Sequence, residues 1–309
     1  MKKVIRKFLK KVVLSDPILT KFYTQMRTIQ NKHKYSDNNT YLESNMVKID
    51  LNNDNYMFVF SKDEKSEMYV DGSAKKDILN TLWSKAVLDA DIIFDIGSNY
   101  GQFILYLNPI TLKSNVKIYS FEPNPMLQKA LKESMSISKI GSSVELYNCG
   151  LSNESGSFEF YLNLVSSGGS SLNLDYAVNP HKGKFVKTIT VDVEVLDNLI
   201  NKSSIETTNK NIAIKIDIEG NDFYALLGAK NTIFNSSNIF IIIETTVNTA
   251  NEFNSKNSEF LNEIFREIPF IYATYNNSIF RVMSIAEYMD HFTKTTGSID
   301  LVFSSKEIN

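Results

Sequence analysis

The chain has 309 residues, an apolar share of 43% and a formal net charge of −2 at pH 7. That length suffices for one large domain with a core of its own, or for a main domain with a small appendage. With so small a net charge, the molecule as a whole is not a polyelectrolyte. Cys149 is the only cysteine, so the chain forms no intramolecular disulfide and fits a reducing cytoplasm.

The charged residues are unevenly distributed along the chain. Residues 1–34 contain ten lysine and arginine residues and one acid, which leaves 23 basic and 34 acidic residues for the remainder. An acidic body without a basic groove argues against a nucleic-acid partner. No apolar core follows the first lysines, and no apolar run reaches the length of a bilayer span. The sequence therefore predicts neither a signal peptide nor a transmembrane helix.

The amino-terminal segment, residues 1–40, is predicted to be basic and helical. Residues 2–14 place apolar side chains at helical spacing and basic side chains on the opposite face, and residues 18–31 predict a second helix. Two interpretations stay open: a helix on an anionic membrane surface, and a helix docked on the protein with its basic face in water. We expect a cytoplasmic protein, with peripheral contact to the inner membrane face through residues 2–34 under the first interpretation.

Residues 41–89 form a predicted preface to the main domain. The apolar segments 46–51 and 56–60 flank the turn sequence NNDN and predict a β-hairpin. Apolar residues at helical spacing predict a helix over residues 75–88.

The main domain is predicted to span residues 90–309, where apolar strands alternate with helical patterns as in parallel βαβ units. Strands are predicted at 91–95, 116–121, 143–147, 211–218, 238–244, 269–274 and 299–303, and helices near 101–108, 125–138, 221–230 and 256–267. Residues 156–195 interrupt the alternation and predict an inserted antiparallel segment, with a Ser/Gly-rich loop at 166–171. Such loops often cover active sites, although a plain surface loop fits the pattern as well.

The first candidate binding turn is DIGSNYG, which follows a predicted strand and contains Asp95. Ligands of open α/β sheets bind at the carboxyl ends of strands. Gly97 and Gly101 would let a ligand approach the backbone, and Ser98 and Asn99 are candidate N-caps of the next helix. The G-x-x-x-G spacing lacks the dinucleotide fingerprint, so the pocket suits a nucleoside with a short zwitterionic tail.

Two further turns extend this predicted pocket. Glu122 ends the strand KIYSF about 25 residues after Gly97, which is the spacing of an acid that binds a ribose. A helix-terminal charge before Pro123 is the alternative explanation of Glu122. Asn148 and Gly150 follow the strand VELY, where an asparagine can meet the edge of an adenine.

The fourth turn, KIDIEG, carries the candidate catalytic groups. Alternation places Lys215, Asp217 and Glu219 on one side of a predicted apolar strand. Charges in such a strand are costly unless they are paired or functional, and an internal Lys–Asp ion pair is the structural alternative. Glu244 ends the later strand IFIIIE.

Taken in order, DIGSNYG, FEPNP, NCGLS, VEVLDNL, KIDIEGNDFYALLGA and IIIE resemble the FkbM-type S-adenosylmethionine-dependent methyltransferases over about residues 91–245. One departure is Asn221-Asp222, where that family commonly has a small residue followed by Glu. The resemblance implies a doubly wound, mostly parallel, seven-stranded α/β sheet of the Rossmann-like class I methyltransferases, with a last antiparallel strand at 299–303. The strands that end at Asp95 and Asp217 would be central neighbours.

The resemblance also implies how the cofactor S-adenosyl-L-methionine is bound. The turn DIGSNYG would surround its methionine end, Glu122 would take its ribose hydroxyls, and the turn after VELY would flank its adenine. The cofactor-binding residues predicted in this way are Asp95, Gly97, Ser98, Asn99, Gly101, Glu122, Asn148 and Gly150.

The predicted reaction is transfer of a methyl group from sulfur to an oxygen, for which the protein supplies alignment and a base. Asp217 and Glu219 are the first candidates for the base, and Glu244 is the next. A divalent metal held by these carboxylates is the less favoured alternative, so no metal ligand is assigned. The three histidines are weaker candidates, because a surface position explains each of them as well: His33, His181 and His291.

The resemblance implies a small-molecule or glycan acceptor: a sugar hydroxyl of a surface polysaccharide or lipid-linked glycan, or a secondary metabolite. The competing class is a methyltransferase-like scaffold without catalysis, docked to a membrane complex by its basic amino terminus. The oligomeric state does not follow from the sequence.

Overall fold

The computed structural model describes residues 40–76, 78–178, 185–276, 278–293 and 299–308. The helices predicted over residues 2–14 and 18–31, and the membrane contact expected of residues 2–34, lie outside these ranges. No helix within the described ranges combines the length and the apolar character that a bilayer crossing requires.

The elements follow the predicted alternation of strands and helices. In chain order they are β1 (Met46–Asp50), β2 (Tyr56–Phe60), α1 (Glu64–Val70), α2 (Ile78–Ala86), β3 (Ile92–Ile96), α3 (Gln102–Leu105), β4 (Lys117–Phe121), α4 (Pro125–Ile137), β5 (Val144–Tyr147), β6 (Gly150–Leu151), β7 (Gly156–Asn163), α5 (Leu174–Val178), β8 (Val186–Glu194), α6 (Leu196–Lys202), β9 (Asn211–Ile216), α7 (Asp222–Gly228), α8 (Lys230–Phe234), β10 (Asn238–Thr245), α9 (Val247–Glu267), β11 (Phe270–Tyr275), β12 (Ser278–Arg281), α10 (Ile285–Phe292) and β13 (Ile299–Ser304).

An eight-stranded sheet in the order β12-β11-β13-β10-β9-β3-β4-β5 forms the centre of the fold. Strands β5, β4, β3, β9 and β10 pair in parallel, and β13 pairs antiparallel with both β10 and β11. The doubly wound, mostly parallel α/β class is thus confirmed, with β13 as the expected antiparallel strand. The strand count of seven is wrong by one. All four residues of β12 are exposed, so this strand lacks the buried apolar run that marks the others.

The order of the strands creates the crevice in which ligands of this fold class bind. From β3 the chain moves outward through β4 and β5, and it later returns to β9 on the other side of β3. The carboxyl ends of β3 and β9 therefore lie side by side, and the connections that leave them diverge. Asp95 and Lys215 are register partners across this strand pair.

Residues 41–89 share a hydrophobic core with the sheet. Trp83, Val59 and Tyr41 are buried in the same cluster as Ile104 and Leu131 of the main domain. The Trp83 indole N–H donates to the Phe103 carbonyl at 2.8 Å. The hairpin β1–β2 and helix α2 are therefore integral to one face of the sheet.

The inserted segment is antiparallel, as predicted. Strand β7 pairs antiparallel with β8 over all of its residues, and β6 pairs with the end of β8 to complete a three-stranded sheet. Phe160, Leu162, Val191 and Val193 form its small apolar core. This sheet carries the Ser/Gly-rich loop to the carboxyl edge of the central sheet.

We expect Asn55→Ala to lower the free energy of unfolding by about 2 kcal/mol. The Asn55 side chain is fully buried; it donates to the carbonyls of Leu105 and Leu107 at 3.0 Å and accepts the N–H of Ile140 at 3.1 Å. The alanine variant leaves that N–H buried without its acceptor. Urea unfolding measures the loss, and the exposed Asn115→Ala serves as the control. Equal stability of the two variants would contradict the structural role of Asn55.

Candidate active site

The turn after β3 is closed by the protein's own hydrogen bonds. The N–H groups of Gly97 and Ser98 both donate to the Phe121 carbonyl at 3.0 Å, and Gly101 N–H donates to the Ser98 carbonyl at 2.7 Å. The N-cap of the short helix α3 is Gly101, and it has no side-chain cap. The prediction that Ser98 or Asn99 caps this helix is therefore wrong.

Gly97 and Gly101 of this turn lie so close to other parts of the protein that a side chain would not fit. Gly97 has a φ of +80°, and a Cβ there would overlap the carbonyl oxygen of Asp217. A Cβ on Gly101, at φ +81°, would lie 2.9 Å from the Leu131 side chain. Glycine is thus required because the turns after β3 and β9 touch one another and because α4 packs closely. The sequence-based explanation, close approach of a ligand, is not needed for either residue.

Glu122 is a buried carboxylate with acceptor capacity to spare. Its Oε2 accepts the N–H of Asn99 at 2.8 Å and its Oε1 accepts the N–H of Asn124 at 2.9 Å. Burial raises its pKa to about 7 despite these two bonds. Since an ionised carboxylate offers about four acceptor sites, two N–H bonds leave room for two hydroxyl donors.

A cleft opens at the carboxyl edge of the sheet, above β3, β4 and β9. One part of its wall is apolar and consists of Phe121, Pro123, Cys149, Leu151, Phe160 and Leu172. The other part carries charge and consists of Lys65, Glu122, Asp217 and Glu219.

Four of the eight predicted cofactor residues line this cleft: Gly97, Asn99, Glu122 and Gly150. Ser98 is buried beneath the turn, where its hydroxyl donates to the Asp95 carbonyl at 2.8 Å and bonds the Ser120 hydroxyl at 2.7 Å. Gly101 packs against α4, and Asn148 is exposed beside the cleft. None of these three residues lines the cleft, so their contact with cofactor stays a prediction.

Asp95 is fully buried next to Lys215. Neither of its carboxylate oxygens has a hydrogen-bond partner within the part of the chain that the structure describes. Burial raises its pKa to about 6, while the neighbouring Lys215 opposes that rise. Asp95 does not line the cleft, and its direct contact with cofactor therefore also stays a prediction.

The three predicted catalytic acids lie together. Oxygen atoms of Asp217, Glu219 and Glu244, which we call the acid trio, lie within 4.8 Å of one another. The Lys215 ammonium contacts the Asp217 carboxylate at 2.9 Å, so the ion pair weighed in the sequence analysis exists. Lys215 is buried, whereas Asp217 remains partly exposed to the cleft. The Asp217 carboxylate is therefore ion-paired and still accessible to a ligand in the cleft.

The environment shifts the pKa values of Asp217 and Glu219 in opposite directions. Burial would raise the pKa of Asp217, but Lys215 and Lys65 outweigh it and hold that pKa well below its usual range. Burial and the negative charge of Asp217 raise the pKa of Glu219. Burial opposes the charged form of Lys215, yet Asp217 and Asp95 raise its pKa.

The turn after β9 has a backbone that its neighbours hold in place. Glu219 has a φ of +54°, a conformation that non-glycine residues rarely adopt. The Asp222 carboxylate accepts the N–H groups of Ile218 and Gly220, each at 3.0 Å. Asp222, which departs from the family's usual Glu, thus clamps the turn that presents Glu219.

Residues that precede the sequence motifs also contribute to the site, although no motif indicates it. The buried Asp63 accepts the N–H groups of Lys65 and Ser167 at 3.0 Å and the Tyr100 hydroxyl at 2.6 Å. It joins α1, the turn after β3 and the Ser/Gly-rich loop at one point. The only sequence signal was an Asp at an N-cap position, which is common on any helix.

Among the described residues, His291 is the one histidine candidate, and it does not line the cleft. His291 is exposed on α10 and packs against Phe280 and Phe292. His33 and His181 lie outside the described residues.

A family model described as the methyltransferase FkbM domain matches residues 95–276, which is more than half of the chain. The chain belongs to the FkbM methyltransferase family. It is therefore a methyltransferase, and its cofactor is S-adenosyl-L-methionine.

Solved structures of methyltransferases resemble this FkbM chain at low identity. Methyltransferase FkbM from Methylobacillus flagellatus KT is 16% identical over 70% of this chain and 44% of its own, with a TM-score of 0.40. The O-methyltransferase TomG from Streptomyces achromogenes is 11% identical over 74% and 80%, with a TM-score of 0.40. An O-methyltransferase from Bacillus cereus is 13% identical over 80% and 93%, also with a TM-score of 0.40. No curated protein matches the chain.

The FkbM cleft fits its cofactor in polarity. The Glu122 carboxylate has acceptor sites left for the two ribose hydroxyls, and Phe121, Pro123 and Cys149 provide the apolar wall that a purine requires beside it. We infer that Glu122 holds the ribose and that the base lies toward Gly150.

We expect the affinity for S-adenosylmethionine to rise as the pH increases through about 7. Below that pH the carboxyl of Glu122 is protonated and accepts hydroxyl donors less well. Calorimetric titration across about pH 6 to pH 8 measures this dependence.

In the same titration, Glu122→Gln binds the cofactor at least about tenfold more weakly, with a flatter pH profile, because charge-assisted hydrogen bonds are lost. The exposed Glu133→Gln on α4 is the matched control. Unchanged affinity in Glu122→Gln would refute the ribose assignment.

Proposed function

We propose that this methyltransferase methylates a hydroxyl oxygen of a sugar, within a surface polysaccharide or a lipid-linked glycan. The observation that supports the proposal is the acid trio at the charged end of the cofactor cleft, with its oxygens within 4.8 Å of one another. A hydroxyl is a weak nucleophile and requires a base as its proton leaves. A sugar offers several O–H donors, which match a group of carboxylates that accept.

The bound cofactor supplies an activated methyl group. The acid trio would hold and orient the acceptor hydroxyl toward that group, which is the main contribution expected of the protein. As the hydroxyl oxygen takes the methyl group, its proton would pass to a carboxylate of the acid trio. The acceptor thereby gains one methyl group and loses one proton.

The different pKa values of Asp217 and Glu219 indicate different roles for these two acids. Asp217, whose pKa is held low by Lys215 and Lys65, stays ionised and suits the fixed acceptor of a hydroxyl hydrogen bond. Glu219, whose pKa is raised by burial and by Asp217, is the stronger proton acceptor once it is ionised. Glu244 completes the group and lowers the pKa of Asp217 through a side-chain hydrogen bond.

The proposal includes the partners expected from the sequence: a glycan or small-molecule acceptor, no nucleic acid, and contact of residues 2–34 with an anionic membrane from the cytoplasmic side. Mass spectrometry of surface glycans identifies the acceptor. Glycans from cells that produce the protein should carry one more methyl group than those from cells that lack it. Glycans that are identical, together with a methylated small molecule, would favour a secondary metabolite as acceptor.

We expect Glu219→Gln to reduce turnover of that acceptor at least about 100-fold, because the proton acceptor is lost. Binding of S-adenosylmethionine by this variant stays within about threefold of the wild type, since the ribose site is untouched. The exposed Glu267→Gln is the control.

The pH dependence of the wild-type rate has a definite sign. Glu219 must lose its proton to act, and its pKa is raised, so turnover increases with pH beyond the usual carboxyl range. Wild-type turnover in Glu219→Gln and Asp217→Asn alike would contradict the catalytic assignment. Thermal stabilisation by cofactor without any turnover would favour the scaffold alternative.

A further inference from the structure

Lys65 lines the cofactor cleft together with Asp217 and Glu219, yet it comes from α1, before the segment that matches the family model. The N-cap of α1 is Asp63, whose carboxylate accepts Lys65 N–H at 3.0 Å. The same carboxylate is bonded by Tyr100 at 2.6 Å. The first turn of α1 is therefore anchored to the turn after β3.

The side chain of Lys65 is held against the Ser/Gly-rich loop. A Cβ on Gly168 would lie 3.0 Å from Lys65 Cδ and 3.4 Å from Lys65 Nζ, so this loop packs along the lysine stem and confines its ammonium. Tyr69 raises the pKa of Lys65, and so do Asp217, Glu244 and Glu219, against the opposing effect of burial. Lys65 thus stays charged and within electrostatic reach of the whole acid trio.

Positive charge near the acid trio stabilises its ionised form. Three carboxylates within 4.8 Å of one another repel each other when they are ionised, and a nearby cation reduces that repulsion. Lys215 meets Asp217 at 2.9 Å from the buried side, where it also faces Asp95. Protein sites of this composition often hold a divalent cation between the carboxylate oxygens.

We propose that the ammonium of Lys65 is the cation that serves the acid trio on the cleft side, in place of a divalent metal. Lys65 is then a positioning residue, which keeps Asp217 ionised toward the acceptor hydroxyl. This consequence rests on the proposed function. The electrostatic claim itself does not, because it concerns only the residues of the cleft.

Titration of the full chain with Mn²⁺, followed by calorimetry in the presence of S-adenosylhomocysteine, tests the claim without any acceptor. We expect Lys65→Gln to bind Mn²⁺ at least about tenfold more tightly than the wild type, because it frees the carboxylates from their cation. Lys65→Arg retains the charge and behaves as the wild type. Lys48→Gln removes a charge from an exposed position on strand β1 and is the matched control. Adding Glu219→Gln to Lys65→Gln abolishes the gain.

Mn²⁺ binding by the wild type that is as tight as in Lys65→Gln, and that Glu219→Gln abolishes, would overturn the proposal. Absence of any gain in a folded Lys65→Gln protein would overturn it too. If Lys65→Gln fails to fold, stoichiometric Mn²⁺ binding by the wild type that Glu219→Gln abolishes overturns the proposal on its own, and absence of such binding supports it.

Once the acceptor is known, turnover provides a second readout. We expect wild-type turnover to be insensitive to a metal chelator, to fall at least about tenfold in Lys65→Gln and to recover in part in Lys65→Arg. Loss of wild-type turnover with the chelator would overturn the proposal. An absence of turnover in every variant, with the Mn²⁺ result as expected, would instead count against the proposed function.

Discussion

The buried ammonium of Lys215 is the interaction on which the site depends. It lies on a central strand between Asp217, at 2.9 Å, and Asp95 on the neighbouring strand. A buried charge of this kind is tolerated only with partners. Asp95 lies on β3 just before the turn that follows it, and Asp217 directly follows β9. The cation therefore links the turn that leads to the cofactor site with the turn that presents the catalytic acids, and the two turns touch where Gly97 meets the Asp217 carbonyl.

A second buried group, Asp63, brings distant segments to this pair of turns. Through Tyr100, Ser167 and its own helix cap it fixes α1 and the inserted loop over the cleft. The central sheet alone supplies the carboxylates and the cofactor wall. Helix α1 supplies Lys65, and the Ser/Gly-rich loop lies over the cleft. The balance of charge in the site therefore depends on how these segments pack on the sheet.

Burial and charge together give the carboxyl groups of the cleft different chemistry. Glu122 and Glu219 have raised pKa values because burial penalises their charge, whereas two lysines hold the pKa of Asp217 low. One group is thus suited to hold a ribose, one to accept a proton and one to remain an anion. Such divergence among neighbouring acids is what acid–base chemistry at a cleft requires.

The sequence by itself determined the alternation of strands and helices and the identity of the acids at the strand ends. These follow from local signals, because buried parallel strands are apolar runs and ligand sites lie at their carboxyl ends. The central position of β3 and β9 was implied by the resemblance to the FkbM family. The sequence also named Asp217, Glu219 and Glu244 as candidates for the base, but no tight cluster of acids shows in the sequence, and their proximity comes from the fold.

Only the tertiary structure decided the roles that depend on long-range contact. Gly97 is required by the Asp217 carbonyl, Asp222 clamps its own turn, and the exposed β12 adds an eighth strand without an apolar pattern. Lys65 lies more than a hundred residues from the acids that it faces. No spacing rule links residues so far apart, because their proximity is set by the packing of α1 and the inserted loop on the sheet.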